Sequence, residues 1–210
     1  MIAIGLTGGI ASGKSLVSAM LAEKGVPIIE ADKVGHQTYQ RGTEAYRRVV
    51  EAFGTEVVVP DGEIDRRALG ARVFADPQAR RRLEAIVWPA MRGMMAERLA
   101  QLRGEDVAVA VLEAAVLIEA DWTPLVDEVW VVTVPEEVAR ERLVRRNGLT
   151  PEEATARIRA QLSNQERVQH ADVVIDNGGS LEALRQQVER AWAGLKARLA
   201  ASAPENGQGV

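Results

Sequence analysis

Residues 8–15 read Gly-Gly-Ile-Ala-Ser-Gly-Lys-Ser and follow directly on the apolar run Ile2-Ala3-Ile4-Gly5-Leu6. A buried strand, a glycine-rich turn and a helix are forced into one unit by that order, and the spacing G-x-x-x-x-G-K-[ST] is that of a phosphate-binding loop. Glycines at 8, 9 and 13 let the chain turn tightly, so that backbone N–H groups of Gly8, Gly9, Ile10, Ala11, Ser12 and Gly13 converge on one anion. Lys14 adds a mobile positive charge and Ser15 offers a hydroxyl to magnesium. The helix they begin, continuing through Leu16, turns its positive dipole end to the same phosphates. The chain therefore reads as a binder of a nucleoside triphosphate.

Apolar runs at Ile2–Leu6, Val26–Ile29, Val107–Leu112, Glu128–Val134 and Ala171–Ile175 read as strands. Helical spacing marks Ser15–Lys24, Lys33–Gln40, Thr43–Phe53, Asp65–Phe74, Pro77–Val87, Pro89–Arg103, Glu136–Arg146 and Leu181–Leu199, with a further helix opening at Thr150-Pro151-Glu152-Glu153. Alternating strands and helices predict an α/β fold of the P-loop nucleoside-triphosphate hydrolase type, a parallel sheet covered by helices on both faces. The stretch 33–103 is helical only and breaks the alternation, which makes it the natural helical insertion for a substrate. Residues 201–210, Ala-Ser-Ala-Pro-Glu-Asn-Gly-Gln-Gly-Val, are expected to be disordered.

Several side chains have the chemistry for phosphoryl transfer. Asp32 is expected at the carboxyl end of the second strand, where open α/β sheets bind ligands. A carboxylate there orients or deprotonates an attacking hydroxyl, holds a magnesium-bound water, or merely caps the next helix. Glu30 lies two residues back on the same side of the strand. Arg140, Arg142, Arg145 and Arg146 crowd one helix; they suit either a transferring phosphoryl group or a solvated face paired with Glu136, Glu137 and Glu141. Glu113, closing a buried strand, either anchors magnesium through water or is an ordinary strand-end acid, with Glu119 a less well placed second. Arg66, Arg67, Arg80, Arg81, Arg82 and Arg92 stud the insertion as a solvated face able to meet a polyanion. His36 and His170 are too isolated for a metal site, and the four tryptophans read as packing.

The formal charge of −4, from 30 acids against 26 bases, gives no attraction to nucleic acid or an anionic membrane. With no cysteine, disulfides and thiolate metal sites are excluded. No secretory leader or bilayer-spanning run is visible, and a cytoplasmic location is expected.

Over about Ile2 to Leu199 these residues resemble the dephospho-coenzyme A kinase family. Gly5-Leu6-Thr7-Gly8-Gly9-Ile10 with Ser12-Gly13-Lys14-Ser15 is similar to the family's opening. Glu30-Ala31-Asp32 stands where the family has Asp-Ala-Asp, with the second carboxylate intact. Asp61-Gly62, Asp65-Arg66 and Leu69 match the segment leading to the coenzyme-binding helices. Arg142-Leu143, Arg146, Gly148 and Gln161 match the lid, and Ala171-Asp172, Ile175 and Asn177 the closing strand, near the adenine.

The resemblance implies a single domain over 1–200. It comprises a core of 1–32, 104–140 and 170–200, an acceptor-binding insertion over about 33–103 and a helical lid over about 141–165. It also implies transfer of the γ-phosphoryl of ATP, with Mg2+, to the ribose 3′-hydroxyl of dephospho-coenzyme A. Lys14, Asp32 and Arg142 would be catalytic; residues 8–16, Arg146 and Asn177 would bind ATP. The expected partners are these small molecules alone, for a monomer or small homo-oligomer.

Three positions depart from the pattern. Trp88-Pro89 replaces His-Pro, Glu113-Ala114-Ala115-Val116-Leu117-Ile118-Glu119 replaces Asp-x-Pro-Leu-Leu-x-Glu, and Asn147 replaces an Asp. The first two are similar to the kinase half of animal bifunctional coenzyme A synthases. The bottom-up reading alone leaves open another P-loop small-molecule or nucleotide kinase. A GTPase-type switch fits only Asp32-Lys33-Val34-Gly35, with no Asn-Lys-x-Asp guanine-reading segment in the chain.

Overall fold

The computed structural model describes residues 1–202, so most of the expected tail falls outside the described residues. In chain order the elements are β1 (Ile2–Gly8), α1 (Lys14–Ala22), β2 (Ile28–Glu30), α2 (Ala31–Thr38), α3 (Glu44–Phe53), α4 (Arg66–Ala75) and α5 (Pro77–Gly104). There follow β3 (Val109–Glu113), β4 (Glu128–Thr133), α6 (Glu136–Asn147), α7 (Pro151–Arg159), α8 (Asn164–Val168), β5 (Val173–Asp176) and α9 (Leu181–Ser202). The strands form one parallel sheet in the order β2-β3-β1-β4-β5, flanked by helices, as the alternation predicts. β1 is buried from Ala3 to Gly8. Continuous apolar sequence without alternation is the mark of a strand covered on both faces.

Two compact units divide β1 between Gly5 and Leu6. The first comprises Met1–Gly5 and Pro27–Asp127. In it β2 runs parallel to β3, with Ile28 opposite Val111, Ile29 opposite Leu112 and Glu30 opposite Glu113. Thr43 caps α3 by accepting from Tyr46 N–H at 3.0 Å, and Asp65 caps α4 by accepting from Arg67 and Ala68. At Gly35 a Cβ would lie 3.1 Å from the Met91 methyl, so the missing side chain lets α2 settle against α5.

The two helices expected on either side of Pro89 are one. α5 runs 28 residues with Pro89 inside it. An interior proline removes a backbone hydrogen bond and costs about 3 kcal/mol. The same helix buries Ile86, Val87, Met91, Met95, Leu99 and Leu102, each contributing about 1.5–3 kcal/mol, so burial outweighs the break several times over. Trp122 is 1% exposed and meets the half-buried Trp88 edge to face, with ring centroids 6.3 Å apart.

The second unit comprises Leu6–Val26 and the chain from Glu128 onward. β4 and β5 pair in parallel from Trp130 opposite Val173 to Thr133 opposite Asp176. Lys24 pairs with Glu189, and Arg185 with Glu23, fastening α1 to α9. The helix expected at Thr150 is present with a full capping box, Thr150 and Glu153 each bonding the other's backbone N–H. A second box, Ser163 with Glu166, opens the unexpected short helix α8. Gly148, at φ 65°, ends α6 in the left-handed region where Asn147-Gly148 places the break.

Candidate active site

The phosphate loop is held open by its own unit. Gly13 sits at φ 91° and caps α1 without a side chain, an arrangement in which a bound anion does the capping. A Cβ at Gly13 would lie 2.1 Å from Asn177 Nδ2, and one at Gly8 would lie 2.4 Å from the Val132 carbonyl oxygen. At Gly8 the obstacle is backbone, and at Gly13 an added side chain would have to displace the Asn177 amide. Asn177, 6% exposed, donates from Nδ2 to the Ser12 carbonyl at 2.7 Å. Ala11 stands at φ 60°, a left-handed conformation unusual for a residue with a side chain. Ser12 Oγ is buried without a hydrogen-bond partner among the described residues, a hydroxyl left for something bound.

Arg142, expected over the transferring group, here braces the loop. Its Nη1 donates to the Ala11 carbonyl at 3.1 Å and its Nη2 to the Asn177 carbonyl at 2.8 Å. Its expected role requires those two bonds to be exchanged for phosphate oxygens. Arg146 is exposed, with Nε donating to Asn147 Oδ1 at 3.1 Å. Ala11, Gly13, Leu16, Arg142, Arg146 and Asn177 line one cavity of about 530 Å³, a common size for a small-molecule cleft. Arg145, from the same arginine cluster, shares it with two residues that the sequence did not single out, Gly179 and Leu181. Leu16 and Leu181 expose apolar surface there, 41% and 52%.

In the first unit the carboxylates gather at the ends of two strands. Glu30 and Glu113 are register partners, hence neighbours across β2 and β3. Lys33 Nζ donates to Glu30 Oε1 at 2.6 Å, balancing one of the two charges. Asp32 requires a correction: it does not end the second strand, because β2 stops at Glu30 and α2 begins at Ala31. Asp32 is the second residue of that helix and is exposed, so a carboxylate near the positive dipole end replaces a strand-end acid. It is not the cap either, since the N-cap position belongs to Glu30.

Among the described residues no group of three or more His, Asp or Glu gathers to hold a metal ion. Nor is any helix among them long and apolar enough to cross a membrane.

A phosphate loop between β1 and α1, a cleft at its end and three arginines of α6 lining it define a P-loop kinase. The model of a family described as dephospho-CoA kinase matches residues 2–183. A dephospho-CoA kinase of Symbiobacterium thermophilum is 52% identical over 189 residues, covering 90% of this chain and 79% of that one. Two solved structures share the fold. TT1252 from Thermus thermophilus has a TM-score of 0.76 at 36% identity, covering 94% of this chain and 97% of that one. Dephospho-CoA kinase from Campylobacter jejuni has 0.72 at 27%, covering 93% and 98%. The chain belongs to the dephospho-CoA kinase family and is an ATP-dependent kinase.

Proposed function

We propose that this chain transfers the γ-phosphoryl group of ATP to the ribose 3′-hydroxyl of dephospho-coenzyme A. The observation that carries the reading is the phosphate loop with its buried, unpartnered Ser12 hydroxyl, in a chain matched to that family over residues 2–183. Backbone N–H groups of residues 8–13 and the Lys14 ammonium hold the β- and γ-phosphates, and the base lies in the cleft of Leu16, Asn177 and Arg146. Asp32 takes the proton of the attacking hydroxyl. Arg142 and Arg146 neutralise charge on the transferring group.

Ser15 would hold magnesium together with the phosphates, and Glu113 would contribute through water. That ion would supply charge neutralisation for the phosphoryl transfer. The build is three-part: a core of 1–32, 104–140 and 170–200, an acceptor-binding insertion over 33–103 and a lid over 141–165. Closure of the lid excludes water, without which ATP would be hydrolysed. The partners are the two small molecules, met in the cytoplasm by a monomer or small homo-oligomer, with neither nucleic acid nor membrane involved.

A coupled ATP-consumption assay against dephospho-coenzyme A, adenosine monophosphate and shikimate tests the reading. Turnover of dephospho-coenzyme A, with the added phosphate on the ribose 3′-oxygen of the product, supports it. Turnover of another acceptor alone, or none, overturns it.

A further inference from the structure

Arg167 has no part in the scheme above, yet it is the one charged side chain buried among the described residues, at 1% exposure. Sinking a guanidinium costs several kcal/mol unless charge or hydrogen bonds meet it, so an interior arginine without use is readily replaced by an apolar side chain of similar volume. Arg167 rides on α8, and its Nη1 donates to the Leu162 carbonyl. The same Nη1 lies 3.4 Å from where a Cβ on Gly9 would stand. Gln161 approaches the same place, its Oε1 accepting from Ile10 N–H at 2.8 Å and lying 3.8 Å from that Cβ position. The short helix α8 and the stretch before it thus set a cation and an amide oxygen against two successive residues of the phosphate loop.

The two ends of the loop face different spaces. Ala11 and Gly13, with Leu16 beyond them, line the cleft of about 530 Å³. Gly9 and Ile10 line a second cavity of about 80 Å³, together with Gln161, Leu162 and Arg167. That volume admits a phosphoryl group or two or three waters, not a nucleoside. A triphosphate whose base fills the larger cleft therefore runs along the loop and ends at the smaller one.

We infer that Arg167 is a further phosphate-binding residue, its planar fork reaching oxygens of the terminal phosphate beside Gly9. The inference rests on the reading of residues 8–15 as the ATP loop. An arginine suits the position because its donors are fixed in a plane matching two phosphate oxygens, and a dry setting strengthens each bond. Gln161 Oε1, which accepts from Ile10 N–H, yields that donor to a phosphate oxygen.

The test is nucleotide discrimination without any acceptor present. Magnesium complexes of ADP and of the non-hydrolysable adenylyl imidodiphosphate are titrated calorimetrically into the unmodified protein, Arg167→Met and Arg167→Lys, with unfolding curves in parallel. Arg167→Met removes the charge and keeps the volume. It should weaken the imidodiphosphate by about tenfold or more, the loss of one charge-assisted bond, while ADP affinity moves by less than about threefold. Arg167→Lys should fall between, since it keeps the charge and loses the fork.

An equal loss for both nucleotides, or an unchanged ratio in both variants, makes Arg167 structural and overturns the inference. Should Arg167→Met fail to fold, the ratio in Arg167→Lys decides alone, a fall supporting the inference and no change overturning it. Because no acceptor is present, failure to phosphorylate dephospho-coenzyme A would sink the acceptor assignment and leave this result standing.

Discussion

Replacing Gly13 by alanine sets a methyl group 2.1 Å from Asn177 Nδ2, closer than any real contact. Two separate costs follow. Alanine at φ 91° bears the left-handed penalty of about 1–2 kcal/mol. Asn177, being buried, escapes only by breaking its 2.7 Å bond to the Ser12 carbonyl, and an acceptor stranded beside a residue 1% exposed costs about 1–3 kcal/mol. Gly13→Ala should therefore destabilise the protein by about 2–5 kcal/mol.

Asn177→Ala breaks the same bond by another route and should cost about 1–3 kcal/mol. The lost bond is common to both variants, so the double variant should cost only about 2–5 kcal/mol, short of the sum of the singles by about 1–3. Urea unfolding of the four proteins without nucleotide, followed by tryptophan fluorescence, measures the cycle. Additivity within about 0.5 kcal/mol would show that Asn177 does not fill the space left at Gly13.

Asp32→Asn should lower kcat by about 100-fold or more while leaving the melting temperature nearly unchanged, because the side chain is exposed and caps nothing; retained turnover with weaker magnesium dependence would move Asp32 to the metal. Trp88→His gives up the edge-to-face contact with Trp122, worth about 0.5–1.5 kcal/mol beyond the area it buries. The variant should melt several degrees lower with kcat within about tenfold, and a collapse of kcat at unchanged stability would place Trp88 in the chemistry instead. Hydrogen bonds from the Ser163 backbone and hydroxyl hold the Glu166 carboxyl below its ordinary range, helped by the neighbouring Arg167 charge. A carboxyl lowered on folding stabilises in full above the ordinary glutamate value of about 4.3 and ceases to do so as pH falls through its folded value. Glu166→Gln should therefore melt below the unmodified protein at neutral pH and converge with it in acid, whereas an equal gap at both ends would refute the sign.

What the sequence reveals is what is local. Gly-Gly-Ile-Ala-Ser-Gly-Lys-Ser fixes strand, loop and helix within a short stretch of chain, and Thr150-Pro151-Glu152-Glu153 fixes a helix start, because each motif closes its own hydrogen bonds. Ser163-x-x-Glu166 carries the same capping signal and marks α8 just as plainly; it passes unnoticed only because five residues show no apolar period. Pro89 misleads because its cost is local, whereas the burial that overrides it comes from the rest of the first unit. Asp32 misleads by two residues, since no apolar pattern marks where a three-residue strand gives way to helix. The Glu30–Glu113 pair and the burial of Arg167 depend on strand register and packing, which no spacing along the chain encodes.

Two of the arginines of α6, Arg142 and Arg146, then separate by what each must give up. Arg142 donates to the carbonyls of Ala11 and Asn177, and hydrogen bonds from a charged donor are worth about 1.5–3 kcal/mol each. A phosphate oxygen that draws Arg142 away must replace both, so its net gain there is small and much of the side chain's effect is spent shaping the loop beforehand. Arg146 surrenders only a bond to the amide oxygen of its exposed neighbour Asn147, which water replaces at little cost. On the proposed roles, meeting a phosphate would therefore gain more free energy at Arg146, while Arg142 would act by preorganising the loop. That division also accounts for Ala11 at φ 60°: the carbonyl it directs at Arg142 offsets a backbone conformation that an alanine otherwise resists.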